Sequence, residues 1–339
     1  MAKRERRHQV STARSCGERA HGEGVQAPSH AGADYPADAL GTIAGVRVGI
    51  VDVGANTLRL LVAVPDGRSV LAVHEERQQL GLGEEVERFG YISARKCADA
   101  VAIAREQTRK ARKLGCERIE MVVTSPGRQS GNSGEFADAL LRGTGVPVRI
   151  LSGEQEAALA WDGAVAALDD PPESVAVCDV GGGSAQLVVG TLSAGPAWLR
   201  SVDLGSLRLT TRLLGGDPPS PDAVEAARAA AEEAFAHVLP PFAQVGLAAG
   251  GTARALRRVV GTIDAGRIEE AIGELVGLKR AKIAKRYGIP PQRAATLLAG
   301  TILLGEAQRR LGLSLGVARG GVREGSALAL FRESATAYA

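Results

Sequence analysis

Apolar residues recur along this chain with two periods, and the change from one to the other marks its elements. Alternating or continuous apolar runs predict strands over residues 47–53, 58–64 and 69–75. An acid-and-glycine turn separates the first two, and Pro65-Asp66-Gly67 separates the last two. Gly81-Leu82-Gly83 then breaks the pattern. Ser93 is placed to cap a helix to about residue 114, with Cys97, Val101, Ala104, Thr108, Ala111 and Leu114 on its apolar face. Its opposite face is basic, as a solvated face commonly is. A strand over 119–123, a short helix over 135–141, a strand over 146–151 and a helix over 152–167 complete a first half. The second half repeats the order. Strands are expected over 175–180, 185–190 and 197–203, a helix from about 205, a helix over 222–239, and a strand over 245–249 that runs into another helix. Further helical segments are expected over roughly 267–276, 277–287 and 291–311, then a short apolar run at 315–318 and a last helix from 322. Strands alternating with helices in this way predict an α/β protein.

The chemistry is concentrated at the turns. Residues 176–189 read AVCDVGGGSAQLVV: strand, Asp179, three glycines, Ser184, strand. Gly181, Gly182 and Gly183 bring backbone close to a ligand and can aim N–H groups at an anion. A structural hairpin explains such a motif when it stands alone, but residues 48–62, VGIVDVGANTLRLLV, repeat it with Asp52 and Gly54. Two acid-tipped, glycine-turned hairpins suggest related half-domains closing on one phosphate-bearing ligand. The strand over 119–123 ends in Thr124-Ser125-Pro126-Gly127-Arg128, and ligands of open α/β sheets gather at such ends. Gly250-Gly251-Thr252, between strand and helix, is a second anion-binding device. Ser152 is read as an N-cap with Glu154 and Glu156 in the first helical turn, where the helix dipole alone accounts for both acids.

Composition narrows the classes. At 339 residues the chain is long enough for two cores, and 45% hydrophobic residues is ordinary for a globular protein. Aromatics at 3% and a net charge of +3 argue against a nucleic-acid partner, while leaving room for a basic cleft. The four cysteines lack metal-ligand spacing, and three of the five histidines lie in the N-terminal tail, so a zinc site or a Ser-His-Asp hydrolase is not expected. No apolar run is long enough for a membrane span, and the basic N-terminus lacks the apolar stretch of a secretory signal; a cytoplasmic protein is expected. Residues 1–44 have no hydrophobic period and are read as a disordered tail, followed by domains over 45–168 and 172–331.

The order of turns over about residues 46–331 resembles the exopolyphosphatase and guanosine pentaphosphate phosphatase family of the actin, Hsp70 and sugar-kinase superfamily. Asp52 to Thr57, the TSPGR segment, the SGEQEA segment, Asp179 to Ser184, residues 201–210, Gly250-Gly251-Thr252 and the closing Gly320-Gly321-Val322-Arg323-Glu324-Gly325 fall in family order. The resemblance implies two ribonuclease-H-like, actin-like ATPase domains with a cleft between them. It implies substrate phosphates held by Gly54, Asn56, Thr57, Asn132, Gly181, Gly182, Gly183, Ser184, Gly250, Gly251 and Thr252, with Arg128 neutralising their charge. It also implies Mg²⁺ near Asp179 and Asp52, and Glu156 as the base that activates water for in-line attack on a terminal phosphorus. Polyphosphate or guanosine pentaphosphate would be the substrate; a homodimer stays open.

The chain departs from the family pattern at several points. Ala55 and Thr57 stand where serines are usual, Ala185-Gln186 replace Thr-Glu, Thr211 replaces a glutamate and Ala295 an aspartate. With Asp52, Arg128, Glu156 and Asp179 kept, an active hydrolase with altered metal affinity or substrate preference is expected. A phosphotransferase or ATPase of the same fold, and a non-catalytic alarmone or polyphosphate sensor, are the alternatives; Glu156 in its segment speaks for hydrolysis, Gln186 and Thr211 for a sensor.

Overall fold

A computed structural model describes residues 46–169 and 172–337; the tail assigned to residues 1–44 and part of the linker between the halves lie outside the described residues. The first half comprises β1 (Val48–Val53), β2 (Thr57–Asp66), β3 (Ser69–Gln79), α1 (Leu82–Phe89), α2 (Ala94–Lys113), β4 (Arg118–Val123), α3 (Ser125–Gln129), α4 (Ser133–Thr144), β5 (Val148–Ile150) and α5 (Gly153–Val165). The second comprises β6 (Ser174–Val180), β7 (Ala185–Thr191), β8 (Gly195–Val202), α6 (Ser206–Leu213), α7 (Pro221–Ala234), β9 (Val245–Ala249), α8 (Gly250–Val260), α9 (Ala265–Val276), α10 (Arg280–Tyr287), α11 (Pro291–Leu311), β10 (Leu315–Val317) and α12 (Val322–Ala337). Among the described residues no helix is long and apolar enough to cross a membrane.

Each half builds a five-stranded sheet, ordered β3-β2-β1-β4-β5 and β10-β9-β6-β7-β8. Read from the first strand of each half, the two orders are the same. The first three strands are antiparallel and the last two join the first in parallel, the ribonuclease-H-like arrangement. The apolar runs follow from burial on both faces. On β1, Val51 and Val53 point into the core under α2, while Val48 and Ile50 point the other way, toward Ala327 and Leu330 of α12.

The sequence division places α5 with the first half and the last helix with the second; packing crosses them over. Ala157, Trp161, Ala164 and Val165 of α5 share a core with Val175, Val177 and Val188 of the second sheet. The apolar residues of α12 lie under the first sheet. The two helices pass each other in backbone contact: a Cβ on Gly163 would lie 2.1 Å from the Gly321 carbonyl, and one on Gly325 2.0 Å from the Leu159 carbonyl. The α1 helix is a further difference. Gly81 and Gly83 suggest a break, but Gly81 precedes the helix with φ 72°, and Gly83 is inside it because a Cβ there would meet Leu207 at 2.6 Å.

Candidate active site

The two acid-tipped turns are built alike, residue for residue. Gly54 N–H donates to the Thr57 carbonyl at 3.0 Å, and Gly181 N–H to the Ser184 carbonyl at 3.0 Å. The turn carbonyls are taken up by the segment that follows each third strand. Gly83 N–H donates to Ala55 O at 2.7 Å, and Leu207 N–H to Gly182 O at 2.9 Å. The carbonyls of Ala55, Asn56 and Gly182 are occupied, and the amides of Ala55, Asn56, Gly182 and Gly183 donate to no backbone carbonyl among the described residues. That leaves N–H groups for an anion. The turns also touch each other: a Cβ on Gly182 would lie 2.6 Å from Ala55 Cβ, and one on Gly183 2.4 Å from Ser125 Oγ. Gly250, with φ +83°, lies against Asp179, whose Oδ1 a Cβ would meet at 2.4 Å. Space alone therefore requires glycine at 182 and 183, and space together with a left-handed backbone angle requires it at 250.

Asp52, Glu156 and Asp179 line one cleft with both turns, Gly250, Gly251, Gly320 and Gly321. Burial pushes the Asp52 and Asp179 carboxyls up from their ordinary range, against the opposing pull of Arg59. Glu156 is pushed up to about 7, by burial first, with Asp179 and Asp52 adding to the rise and Arg128 opposing it. The Asp52 Oδ1 atom is buried without a hydrogen-bond partner.

Helix α5 decides what the two first-turn glutamates do. Gln155 and Ser152 form a reciprocal capping box: Ser152 Oγ accepts from Gln155 N–H at 3.1 Å, and Gln155 Oε1 from Ser152 N–H at 2.9 Å. Glu154 is exposed at the helix end, where Ser152 Oγ donates to it at 3.0 Å. Glu156 turns inward and is buried, at 8% exposure, beside the two aspartates. The cap is complete without it.

Residues 61–333 match the model of the Ppx/GppA phosphatase family. The chain belongs to the Ppx/GppA phosphatase family. Among its relatives, an uncharacterised protein of Streptomyces coelicolor is 30% identical over 83% of this chain and 89% of its own. Exopolyphosphatase 2 of Mycobacterium tuberculosis is 31% identical over 78% of this chain and 91% of its own. The crystal structure of the Aquifex aeolicus Ppx/GppA family member aligns with a TM-score of 0.73 at 23% identity, covering 85% of this chain and 98% of that one. The two sheets are thus the two actin-like domains of a Ppx/GppA fold, and the chain is a phosphohydrolase by class.

Within this Ppx/GppA site the structure brings together Asp52, Gly54, Asn56, Thr57, Glu156, Asp179, Gly181, Gly182, Gly183, Ser184, Gly250 and Gly251. Three of the expected residues are placed elsewhere. Arg128 is not among the residues lining the cleft: it donates through Nη1 to Glu156 Oε2 at 2.9 Å and to the Leu151 carbonyl at 2.7 Å, and its Nη2 is buried without a partner. In this geometry it is bonded to Glu156. Asn132 is not at the cleft: its amide bonds both backbone groups of Ile92, at 2.9 and 2.8 Å, and so ties down the chain before α2. The Thr252 hydroxyl is buried and donates to the Val180 carbonyl at 2.9 Å, fixing α8 to β6. Gln186, which replaces a usual glutamate, is buried and donates to Ser184 Oγ at 2.8 Å, so it orders the turn.

Much of the cleft's charge comes from residues outside the expected set. Arg59, Arg254, Arg293, Arg323 and Glu324 also line it. Arg323 and Glu324 stand in the closing glycine segment, and Arg254 follows Gly250-Gly251-Thr252, so their motifs were visible. Arg59 stands in the first hairpin and Arg293 two residues before Ala295, but their meeting is not visible locally, because a strand residue and a helix residue come together only when β2 and α11 have folded.

Proposed function

We propose that this Ppx/GppA protein is a Mg²⁺-dependent exopolyphosphatase, releasing terminal orthophosphate from inorganic polyphosphate, with guanosine pentaphosphate as the second candidate substrate. The observation that carries the reading is Glu156, a carboxylate buried beside Asp52 and Asp179, with an affinity for protons lifted to about 7. That value suits a group that must take a proton near neutral pH. The name of the Mycobacterium tuberculosis relative supports the choice of polyphosphate.

Asp52 and Asp179 would hold the Mg²⁺. The unpartnered, buried Asp52 Oδ1 is an oxygen donor without an occupant on the protein side. Mg²⁺ keeps several waters and needs only one or two carboxylates from the protein. When bound, the ion supplies charge neutralisation at the phosphate oxygens. The chain's own residues do the rest. Amides of the two turns bind the terminal phosphate, and Arg59, Arg254 and Arg293 offset negative charge on the leaving chain. Glu156 orients a water and takes its proton as the water oxygen bonds to the terminal phosphorus. The bridging P–O bond breaks on the opposite side, leaving orthophosphate and a chain shorter by one unit. Arg128 keeps Glu156 in position.

The test is orthophosphate release from polyphosphate, guanosine pentaphosphate and ATP, each with Mg²⁺ and with chelator. Mg²⁺-dependent release from polyphosphate is expected. Preferential turnover of ATP would assign the ATPase alternative, and tight binding without turnover the sensor.

A further inference from the structure

The second turn is fixed by a row of side chains that the hairpins bring side by side. Gln186 on β7 stands across from Asp179 of β6 on one side and from Ser201 of β8 on the other. Its amide nitrogen donates twice, to Ser184 Oγ at 2.8 Å and to Ser201 Oγ at 3.3 Å. Gln186 and Ser184 are both buried, at 2% and 1% exposure. Ser201 in turn lies against the start of α5, where a Cβ on Gly153 would meet its Oγ at 2.7 Å. One buried amide thus joins the Asp179 hairpin, its glycine turn and the helix that carries Glu156.

The direction of these bonds matters. A hydroxyl has one proton and two lone pairs, whereas an amide nitrogen has two protons and accepts nothing. Ser184 Oγ therefore accepts from Gln186 with a lone pair and keeps its proton, which no other group among the described residues takes up. Ser184 lines the cleft, so that proton is available to an anion there. The glutamate usual at position 186 only accepts when ionised. It would draw the Ser184 proton to itself and leave lone pairs facing the cleft.

We propose that Gln186 is a positioning residue that sets the polarity of the second turn, making the Ser184 hydroxyl a hydrogen-bond donor to the terminal phosphate of the substrate. The inference rests on the hydrolase reading above for the identity of that phosphate. Lone pairs facing the cleft suit a metal-bound water and repel a phosphate oxygen; a proton does the reverse. A glutamate would also set a second carboxylate across the ladder from Asp179, which favours a cation over an anion. Gln186 removes that charge and supplies a neutral donor in its place. Ser184 then adds a side-chain donor to the amides of Gly182 and Gly183, which have no backbone acceptor among the described residues. Hydrogen bonds to an ionised acceptor are the strong ones, so one hydroxyl turned the right way changes affinity measurably.

The experiment measures tripolyphosphate affinity of the full chain by calorimetry, with chelator present and in a Glu156→Gln background, which keeps metal and turnover out of the reading. Ser184→Ala should weaken binding about tenfold, the effect of one hydrogen bond to a charged group. Gln186→Glu should weaken it at least as much. Made in Ser184→Ala protein, the same Gln186→Glu change should cost several-fold less, because the hydroxyl it reverses is gone. Equal losses from Gln186→Glu in the two backgrounds overturn the inference. So does tighter binding of Mg²⁺ alone by Gln186→Glu with unchanged anion affinity, which would make position 186 a metal-tuning site only. Melting curves identify a Gln186→Glu protein that fails to fold; Ser184→Ala then decides, and undiminished affinity in it overturns the inference. With Glu156 intact, Gln186→Glu should act mainly by raising KM for polyphosphate, and a fall in kcat at unchanged KM would count against it. Binding that depends on Ser184 and Gln186 in a protein that never releases orthophosphate supports the inference and removes the hydrolase reading. Turnover of polyphosphate with equal losses in the two backgrounds does the opposite.

Discussion

Glu156 Oε2 accepts a hydrogen bond of 2.9 Å from Arg128 Nη1, and both side chains are largely shielded from solvent. The arginine expected to neutralise substrate charge is bonded to the residue proposed as base. Its charge opposes the rise in the Glu156 pKa, so it tunes that group as well as holding it. Arg128→Gln should shift the acidic limb of the kcat/KM profile to higher pH, and Arg128→Lys, which keeps the charge, should shift it less. A limb that stays in place in both variants would show that Glu156 is not the titrating group.

For the unaltered protein the sign is set by burial. Below about pH 7 the Glu156 carboxyl is protonated and cannot accept the proton of water; above it the carboxylate can. Activity should therefore rise through about pH 7 and then level. A profile that falls as pH rises through this range would contradict the assignment.

The crossing of α5 and α12 depends on glycine. Gly163→Ala would place a methyl 2.1 Å from the Gly321 carbonyl, and Gly325→Ala one 2.0 Å from the Leu159 carbonyl. Overpacking of this kind typically costs about 1–3 kcal/mol. Because α5 carries Glu156 and the glycines before α12 line the cleft, activity should fall with stability in both variants. Urea unfolding and initial rates check this, and unaltered values for both variants would remove the crossing as a constraint.

On another side of the molecule, Glu87 of α1 joins Arg208 and Arg212 of α6, with Arg208 Nε at 2.8 Å, and Gln129 donates to Asp203 at 2.6 Å. These contacts tie the first sheet's helices to the second's. Glu87→Gln leaves the poorly exposed Arg208 without its counter-charge and should lose up to about 3 kcal/mol in chemical denaturation. Stability unchanged within error would show the pair to be dispensable.

How much of this was legible in the sequence follows from the range of each signal. The acid-glycine hairpins, the Ser152 cap and the alternation of strands and helices are local, and the described structure forms them at the expected places. The two sheets match the expected α/β architecture because the second half repeats the first. Asn132 could not be read: its partner Ile92 is 40 residues away and depends on how α4 packs. The role of Glu156 was ambiguous because only three-dimensional burial separates it from Glu154, two residues before. The meeting of the cleft arginines was not visible for the same reason, because Arg59, Arg254, Arg293 and Arg323 are spread over β2, α8, α11 and α12. The placement of α5 ran against chain order, since its apolar face fits the sheet that follows it.

The most direct test compares two conservative changes on one helical turn. Glu154 is exposed and bonded to Ser152, and Glu156 is buried at the cleft, so Glu154→Gln and Glu156→Gln remove the same charge from different surroundings. Orthophosphate release from polyphosphate with Mg²⁺ should fall about 10²–10⁴-fold in Glu156→Gln, the usual worth of a general base, and change little in Glu154→Gln. Equal, small losses in the two variants, with both proteins folded, would contradict hydrolysis driven by Glu156.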